Sequence, residues 1–243
     1  MLTPNIFLAE LTGTFILLLL GTGVVANVNL KGTLGHAAGW LTICFGWGLA
    51  VFAGVWVAAA SGAHLNPAVT VGLMVNADAT ELAPGVDKTV ANMLLYFAAQ
   101  MIGAVLGAVG TWLAYKKHFD EPVDGGSKLG VFATGGAIRS YPWNMVTEII
   151  ATFVLVFVIN GFGKTPHGLG PLAVALIVVA IGASLGGPTG YAINPARDLG
   201  PRLAHALLPI PGKGSSDWAY SWVPVAGPLI GGVLGGLGAA ALF

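Results

Sequence analysis

Ser61-Gly62-Ala63-His64-Leu65-Asn66-Pro67-Ala68-Val69-Thr70 has a partner in Thr189-Gly190-Tyr191-Ala192-Ile193-Asn194-Pro195-Ala196-Arg197-Asp198. In both, an irregular Gly-containing run precedes Asn-Pro-Ala, inside strongly apolar surroundings. Proline at a first helical position gives up only an N–H that has no partner, and asparagine is a favoured N-cap. Each triplet therefore reads as the head of a short helix entered through non-helical backbone. In a bilayer such backbone survives only where protein buries it or it lines a water-filled cavity. Two of them in one apolar chain point to a pore.

Composition agrees. Of 243 residues only 8% are charged and 56% are hydrophobic, with a mean hydropathy of +0.82. A soluble domain carries about 25% charge, so the chain reads as a membrane protein. Ten basic residues balance ten acidic ones, which argues against a nucleic-acid or polyanionic partner. Cys44 is the single cysteine and has no internal disulfide partner. No nucleophile–base set, metal-ligand cluster or cofactor fingerprint stands out, so neither enzyme chemistry nor a cofactor is expected. The first apolar run lacks a basic flank and contains Glu10, so it reads as a retained transmembrane helix rather than a cleaved signal.

Apolar stretches of spanning length, roughly 20 residues, fall near 5–27, 39–60, 90–115, 145–163, 168–186 and 219–242. Two shorter segments follow the triplets, near 67–76 and 195–208. About ten helical residues cover roughly 15 Å, half of a 30 Å hydrocarbon core. The connection at 116–142 is the most polar, with Lys116, Lys117, Asp120, Glu121, Asp124 and Lys128, and reads as a solvent-exposed loop.

The chain repeats itself. Glu10-Leu-Thr-Gly-Thr-Phe15 matches Glu148-Ile-Ile-Ala-Thr-Phe153 at an offset of 138, and the two Asn-Pro-Ala triplets are 128 apart. Each half then holds three spans and one half-helix, an odd number, so the halves lie in opposite orientations as an inverted repeat. The expected layout is one channel domain over 1–243, with a first repeat about 1–115, a connection 116–142 and a second repeat about 143–243.

The paired Asn-Pro-Ala motifs, each preceded by Ser/Thr-Gly, together with Glu…Thr-Phe opening each half, resemble the major intrinsic protein family of aquaporins and glycerol facilitators. The resemblance covers essentially the whole chain. It implies an all-α membrane protein of six transmembrane helices and two re-entrant half-helices, a pore in every protomer and a homotetramer. It also implies a plasma-membrane location with both termini cytoplasmic, and the short termini fit a prokaryotic membrane. That orientation leaves Lys88 and Lys164 on cytoplasmic connections and Lys31, Lys116, Lys117, Lys128, Arg139 and Lys213 outside, against the positive-inside rule.

The site residues follow. Asn66 and Asn194, with Pro67, Ala68, Pro195 and Ala196, form the two helix heads, whose dipoles and side-chain amides face one point. Carbonyls of Gly62, Ala63 and His64, and of Gly190, Tyr191 and Ala192, supply two rows of acceptors. His64 reads as a loop anchor rather than a metal ligand. Arg197, an arginine at membrane depth and so a functional candidate, takes the family's selectivity filter together with Gly190, Tyr191 and Trp47. The resemblance puts Gly190 where water-selective members commonly carry His. The Trp47-to-Asn66 spacing is one residue shorter than is usual in glycerol facilitators, which leaves Gly46 as the alternative lumen residue and Trp56 as a lipid-facing one.

Glu10 and Glu148 read as scaffold carboxylates that hold the irregular loops, supported by Gln100. Glycine pairs Gly103/Gly107, Gly227/Gly231 and Gly231/Gly235 read as helix contacts. Asp198, Arg202, Pro224 and Val225 favour the glycerol branch, with Asp198 free to compensate either Arg202 or Arg197. The reading is a passive channel for glycerol, related small neutral polyols and some water. Its rivals are a water-selective channel and a coupled transporter with broken helices, in which Glu10 and Glu148 would relay protons.

Overall fold

The computed structural model describes residues 3–164 and 168–243, with side chains from Ile6 onward; residues 1–2 and 165–167 of the expected channel domain lie outside the described residues. The first half runs through α1 (Thr3–Asn29), α2 (Trp40–Val57), the half-length α3 (Pro67–Val75) and α4 (Val90–Ala114). A hairpin of β1 (Glu81–Ala83) and β2 (Val86–Asp87) connects α3 to α4. After two short helices, α5 (Lys116–Asp120) and α6 (Gly125–Phe132), the second half repeats the order. It comprises α7 (Tyr141–Phe162), α8 (Pro171–Leu185), the half-length α9 (Pro195–Leu207) and α10 (Val223–Leu242). Among the described residues, five helices of spanning length, the shorter apolar α8 and two half-helices result.

Two expectations need correction. Among the described residues five helices are long and apolar enough to cross a membrane, and α8 is not one of them. Pro171 opens α8 and Gly186-Gly187-Pro188 follows it, so its 15 residues cover only about 22 Å. The connection at 116–142 is not an exposed loop throughout: α5 and α6 bury Phe119, Val131 and Phe132, with Phe119 stacked on Phe132 at 5.4 Å. Lys128, read as solvent-facing, is buried because its ammonium donates to the Pro211 carbonyl at 2.6 Å.

The lipid-facing surface carries Leu8, Leu20, Phe45, Leu49, Trp56 and Leu94, all exposed. Inside, helix contacts are made by small residues. A side chain at Gly103 or Gly107 of α4 would put Cβ 2.4 Å or 2.6 Å from the Leu11 or Phe15 carbonyl oxygen of α1. At Gly231 and Gly235 of α10 the same test gives 2.4 Å and 2.9 Å to the Ile149 and Phe153 oxygens of α7. The two halves therefore pack alike. They also cross: α3 of the first half lies on α10, where a Cβ at Gly236 would stand 2.1 Å from the Gly72 oxygen. In turn α9 lies on α4, with Gly200 against Ala104. This crossing brings both half-helix heads to the middle of the molecule.

Gly236→Ala forces backbone apart at the α3–α10 contact, an overpacking cost of about 1–3 kcal/mol. The expected result is a lower midpoint for thermal unfolding in detergent. An unchanged midpoint would contradict the contact.

Candidate functional site

Asn66 and Asn194 have extended backbone and cap α3 and α9, each through its own side-chain oxygen. Asn66 Oδ1 accepts from Ala68 N at 2.8 Å, and Asn194 Oδ1 accepts from Ala196 N at 3.0 Å and Arg197 N at 3.2 Å. Their amide nitrogens then cross between the halves. Asn66 Nδ2 donates to the Ile193 carbonyl and Asn194 Nδ2 to the Leu65 carbonyl, both at 2.8 Å. One N–H of each amide is thus committed to the opposite loop, and the second is the one left for the lumen. Sequence reading missed Leu65 and Ile193 in this role, although the 128-residue offset that relates them also relates the asparagines.

The loops ahead of the heads are left-handed at matching positions. Gly62, Ala63 and Leu65 have φ of 76°, 52° and 54°; Gly190, Tyr191 and Ile193 have 81°, 39° and 46°. For a non-glycine residue this costs roughly 1–2 kcal/mol, and more for a β-branched side chain such as Ile193. Two buried carboxylates hold it. Glu10 Oε1 accepts from Ser61 Oγ (2.6 Å) and His64 N (2.9 Å), and Oε2 accepts from Leu65 N (2.8 Å) and Gln100 Nε2 (2.7 Å). Glu148 Oε1 accepts from Thr189 Oγ1 (2.6 Å) and Ala192 N (3.0 Å), and Oε2 from Ile193 N (2.9 Å).

With the N–H groups turned to the carboxylates, the carbonyls are turned away. Among the described residues, the carbonyls of Gly62, Ala63, His64, Gly190, Tyr191 and Ala192 accept no hydrogen bond from the protein. The first loop has extra bracing. His64 Nε2 donates to the Leu82 carbonyl of β1 at 2.8 Å, since a carbonyl only accepts, and Nδ1 faces Thr70 Oγ1 at 3.0 Å. Tyr96 Oη donates to the Ser61 carbonyl at 2.6 Å. Pro224, which stands 128 positions after Tyr96 as Gly231 stands after Gly103, offers no such donor. Val225 follows it in the first turn of α10.

These groups line a cavity of about 160 Å³, ample for a file of water-sized groups. The lining combines polar groups of residues 62–66, of Tyr191–Asn194 and of Arg197 with aliphatic side chains that include Leu17, Val51, Val55, Leu73, Leu155, Ile159, Val174 and Val178. A second cavity, about 250 Å³, lies against the first and includes Asn29, Thr134 and Gly190. Trp47, Tyr191 and Arg197 line both, so the two spaces adjoin at these three side chains.

Trp47 lies in the space left by Gly21, where a Cβ would meet its ring at 2.1 Å. The Arg197 guanidinium stacks on that ring at 3.8 Å, a cation–π contact. Gly46 packs instead against Val24. The Arg197 guanidinium makes one hydrogen bond to protein among the described residues, Nη1 to the Phe132 carbonyl at 3.2 Å. Gly190 lines the second cavity with this trio, but its missing Cβ would face Thr134. The glycine that makes room beside Tyr191 is Gly182 of α8, where a Cβ would fall 2.8 Å from Tyr191 Cζ and 3.0 Å from Cys44 Sγ. Nothing in the local sequence distinguishes Gly182 from the other glycines of an apolar helix. Asp198 pairs with Arg202 at 2.8 Å, not with Arg197.

Two half-helices meeting head to head beside unpartnered carbonyls, inside a bundle of apolar helices, define a membrane channel. The chain belongs to the major intrinsic protein family, whose sequence profile matches residues 3–238. It is 53% identical to glycerol uptake facilitator protein 3 of Lactiplantibacillus plantarum, over 95% of this chain and 93% of that one. It is 52% identical to the glycerol uptake facilitator protein of Bacillus subtilis, over 95% and 82%. The X-ray structure of the aquaglyceroporin from Plasmodium falciparum superposes with a TM-score of 0.80 at 33% identity, covering 96% of this chain and 94% of that one.

Glu148→Gln turns an amide NH2 toward donors that now meet a carboxylate. Each buried donor left unpaired costs about 1–3 kcal/mol. The expected outcome is a lower thermal midpoint and loss of conduction at every pH tested. A variant of normal stability that still conducts would remove Glu148 from the scaffold.

Proposed function

We propose that this chain is a passive channel for glycerol and other small neutral polyols, with accompanying water flow. The mixed lining of the lumen supports this reading. A polyol presents both hydroxyls and carbon, and the cavity offers carbonyls, amides and a guanidinium together with many aliphatic side chains. A strict water file needs acceptors and donors but gains little from so much aliphatic surface. The names of the relatives, glycerol uptake facilitators and an aquaglyceroporin, point the same way.

In this reading the carbonyls of Gly62, Ala63, His64, Tyr191 and Ala192 accept successive hydroxyl protons, while Asn66 and Asn194 donate to the hydroxyl oxygen between them. Trp47, Tyr191 and Arg197 form the narrowest point, with Gly182 rather than Gly190 setting its width. Gly190 serves as the αL hinge that starts the second carbonyl row. Two helix N-termini, each worth roughly +0.5 charge, face the middle of the lumen and oppose cations there. Glu10 and Glu148 act as scaffold: each is taken up by its own loop, which favours a channel over a proton-coupled transporter. The channel performs no catalysis. It sits as a homotetramer in the lipid of the plasma membrane, with both termini cytoplasmic.

Stopped-flow light scattering on proteoliposomes tests this. Fast re-swelling after a glycerol gradient is expected, with water flux under an impermeant osmolyte. Gly182→Val should push the Tyr191 ring into the passage and lower glycerol permeability roughly tenfold relative to water, as about 1.4 kcal/mol at the barrier would. Water flux without glycerol flux in the unmodified protein would leave a water channel. Uptake that requires an ion gradient would point to the transporter.

A further inference from the structure

Arg202 is fully buried five residues along α9 from Arg197, and its guanidinium has five N–H donors. All five are used. Nε donates to Asp198 Oδ1 at 2.8 Å, and Nη1 donates to the Ser216 and Asp217 carbonyls at 2.8 Å and 3.1 Å. Nη2 donates to the Thr134 carbonyl at 2.8 Å and to Asp198 Oδ2 at 3.0 Å. Arg202 has no donor left for a permeant and does not line either cavity. Asp198 Oδ2 in turn accepts from Thr134 N and Thr134 Oγ1, both at 2.7 Å. The backbone N–H, the hydroxyl and the carbonyl of Thr134 are all fixed by this one ion pair.

Thr134 lies two residues after Phe132, whose carbonyl is the one acceptor of the Arg197 guanidinium among the described residues. The Phe132 ring packs on Phe119 and His205, and the Ala133 N–H of the same peptide unit donates to the Leu129 carbonyl at 2.9 Å, so α6 holds this unit from one side and the bonds at Thr134 hold it from the other. We infer that the Asp198–Arg202 pair is a positioning device for the constriction. By pinning Thr134 it aims the Phe132 carbonyl at Arg197, and so sets where the Arg197 guanidinium stands against Trp47. Asp198 and Arg202 then affect which solutes pass without touching any of them. Such pairs are worth little as net stabilisation when buried, but a two-pronged hold of this kind specifies geometry. The inference rests on the reading of Arg197 as part of the narrowest point.

The test compares the unmodified channel with Thr134→Val and with the double variant Asp198→Asn/Arg202→Gln. Thr134→Val removes one bond to Asp198 and keeps the ion pair, so it does not depend on a buried charge being left alone. Glycerol and water permeability are measured on the same proteoliposomes and expressed as a ratio, in which the number of folded channels cancels. A purely structural role changes both fluxes together and leaves the ratio fixed. The expected result is a ratio that falls several-fold in Thr134→Val and roughly tenfold in the double variant, the change about 1.4 kcal/mol at the barrier produces. Thr134 itself lines the second cavity, so if the double variant yields no folded protein, Arg202→Lys, which keeps the charge but not the fork of bonds to Asp198 and Thr134, takes its place and is expected to lower the ratio as well. A Thr134→Val ratio equal to that of the unmodified protein overturns the positioning role while the glycerol reading stands. Absence of glycerol flux in the unmodified protein overturns both.

Discussion

Everything in this lumen depends on two carboxylates buried in apolar surroundings. A carboxylate there is expensive unless its oxygens are taken up by donors, and Glu10 and Glu148 are surrounded by them. The donors are the backbone N–H groups of the two loops that precede the helix heads. A peptide plane has two sides, so turning N–H groups toward the carboxylate turns carbonyls the other way, into the cavity. The left-handed residues are what this turning requires. Strain at Ala63, Leu65, Tyr191 and Ile193 and burial of two charges thus offset one another. Removing either leaves the other without a reason.

The same economy applies along the half-helices. Their N-termini face each other through Asn66 and Asn194, and their C-termini carry the opposite partial charge. At the far end of α3, Lys88 Nζ donates to the Asn76 and Ala79 carbonyls at 2.6 Å and 2.9 Å. At the far end of α9, Lys213 Nζ donates to the His205, Ala206 and Leu208 carbonyls, each at 2.7 Å. Lys128 and Arg139 are likewise engaged locally, with Pro211 and Asp217. These cations answer to carbonyls and a carboxylate within the fold, so local structure gives each of them a reason to stand where it does.

Much of this was legible because it is written twice. The two triplets, the two Glu…Thr-Phe openings and the glycine pairs repeat at offsets of 138 and 128, and two-fold repetition in an apolar chain leaves few architectures. Features that break the repeat were not legible. The length of α8 depends on Pro171 and Gly186, which a hydropathy window averages away. The burial of α6 depends on Phe119 and Phe132 meeting across a polar stretch. Gly182 matters only because the Tyr191 ring folds over it, and that contact joins residues of different elements. Gly190 drew attention because it sits in a motif, yet its side-chain position faces Thr134. The choice of Arg202 over Arg197 as the partner of Asp198 follows helical geometry: positions four apart share a face, while adjacent ones diverge.

The asymmetries between the halves have a direction. The first loop is braced by Tyr96, by the His64–Leu82 bond and by Gln100, all from its own half. The second loop has Pro224 in place of Tyr96, is held by Glu148 of α7 and has Thr134 beside Gly190, while residues 216–217 hold Arg202 on α9. Among the described residues the lumen meets an arginine on that side, and that arginine is held from the connection through the Phe132 carbonyl. A selective constriction benefits from such an arrangement. The carbonyl rows do a general task, removing water from a hydroxyl file, and suit rigid symmetric support. In the proposed reading, discrimination lies at Trp47, Tyr191 and Arg197. Holding that point through Thr134 and Arg202 lets its geometry be changed while the Glu-held heads and the glycine-packed helices stay as they are.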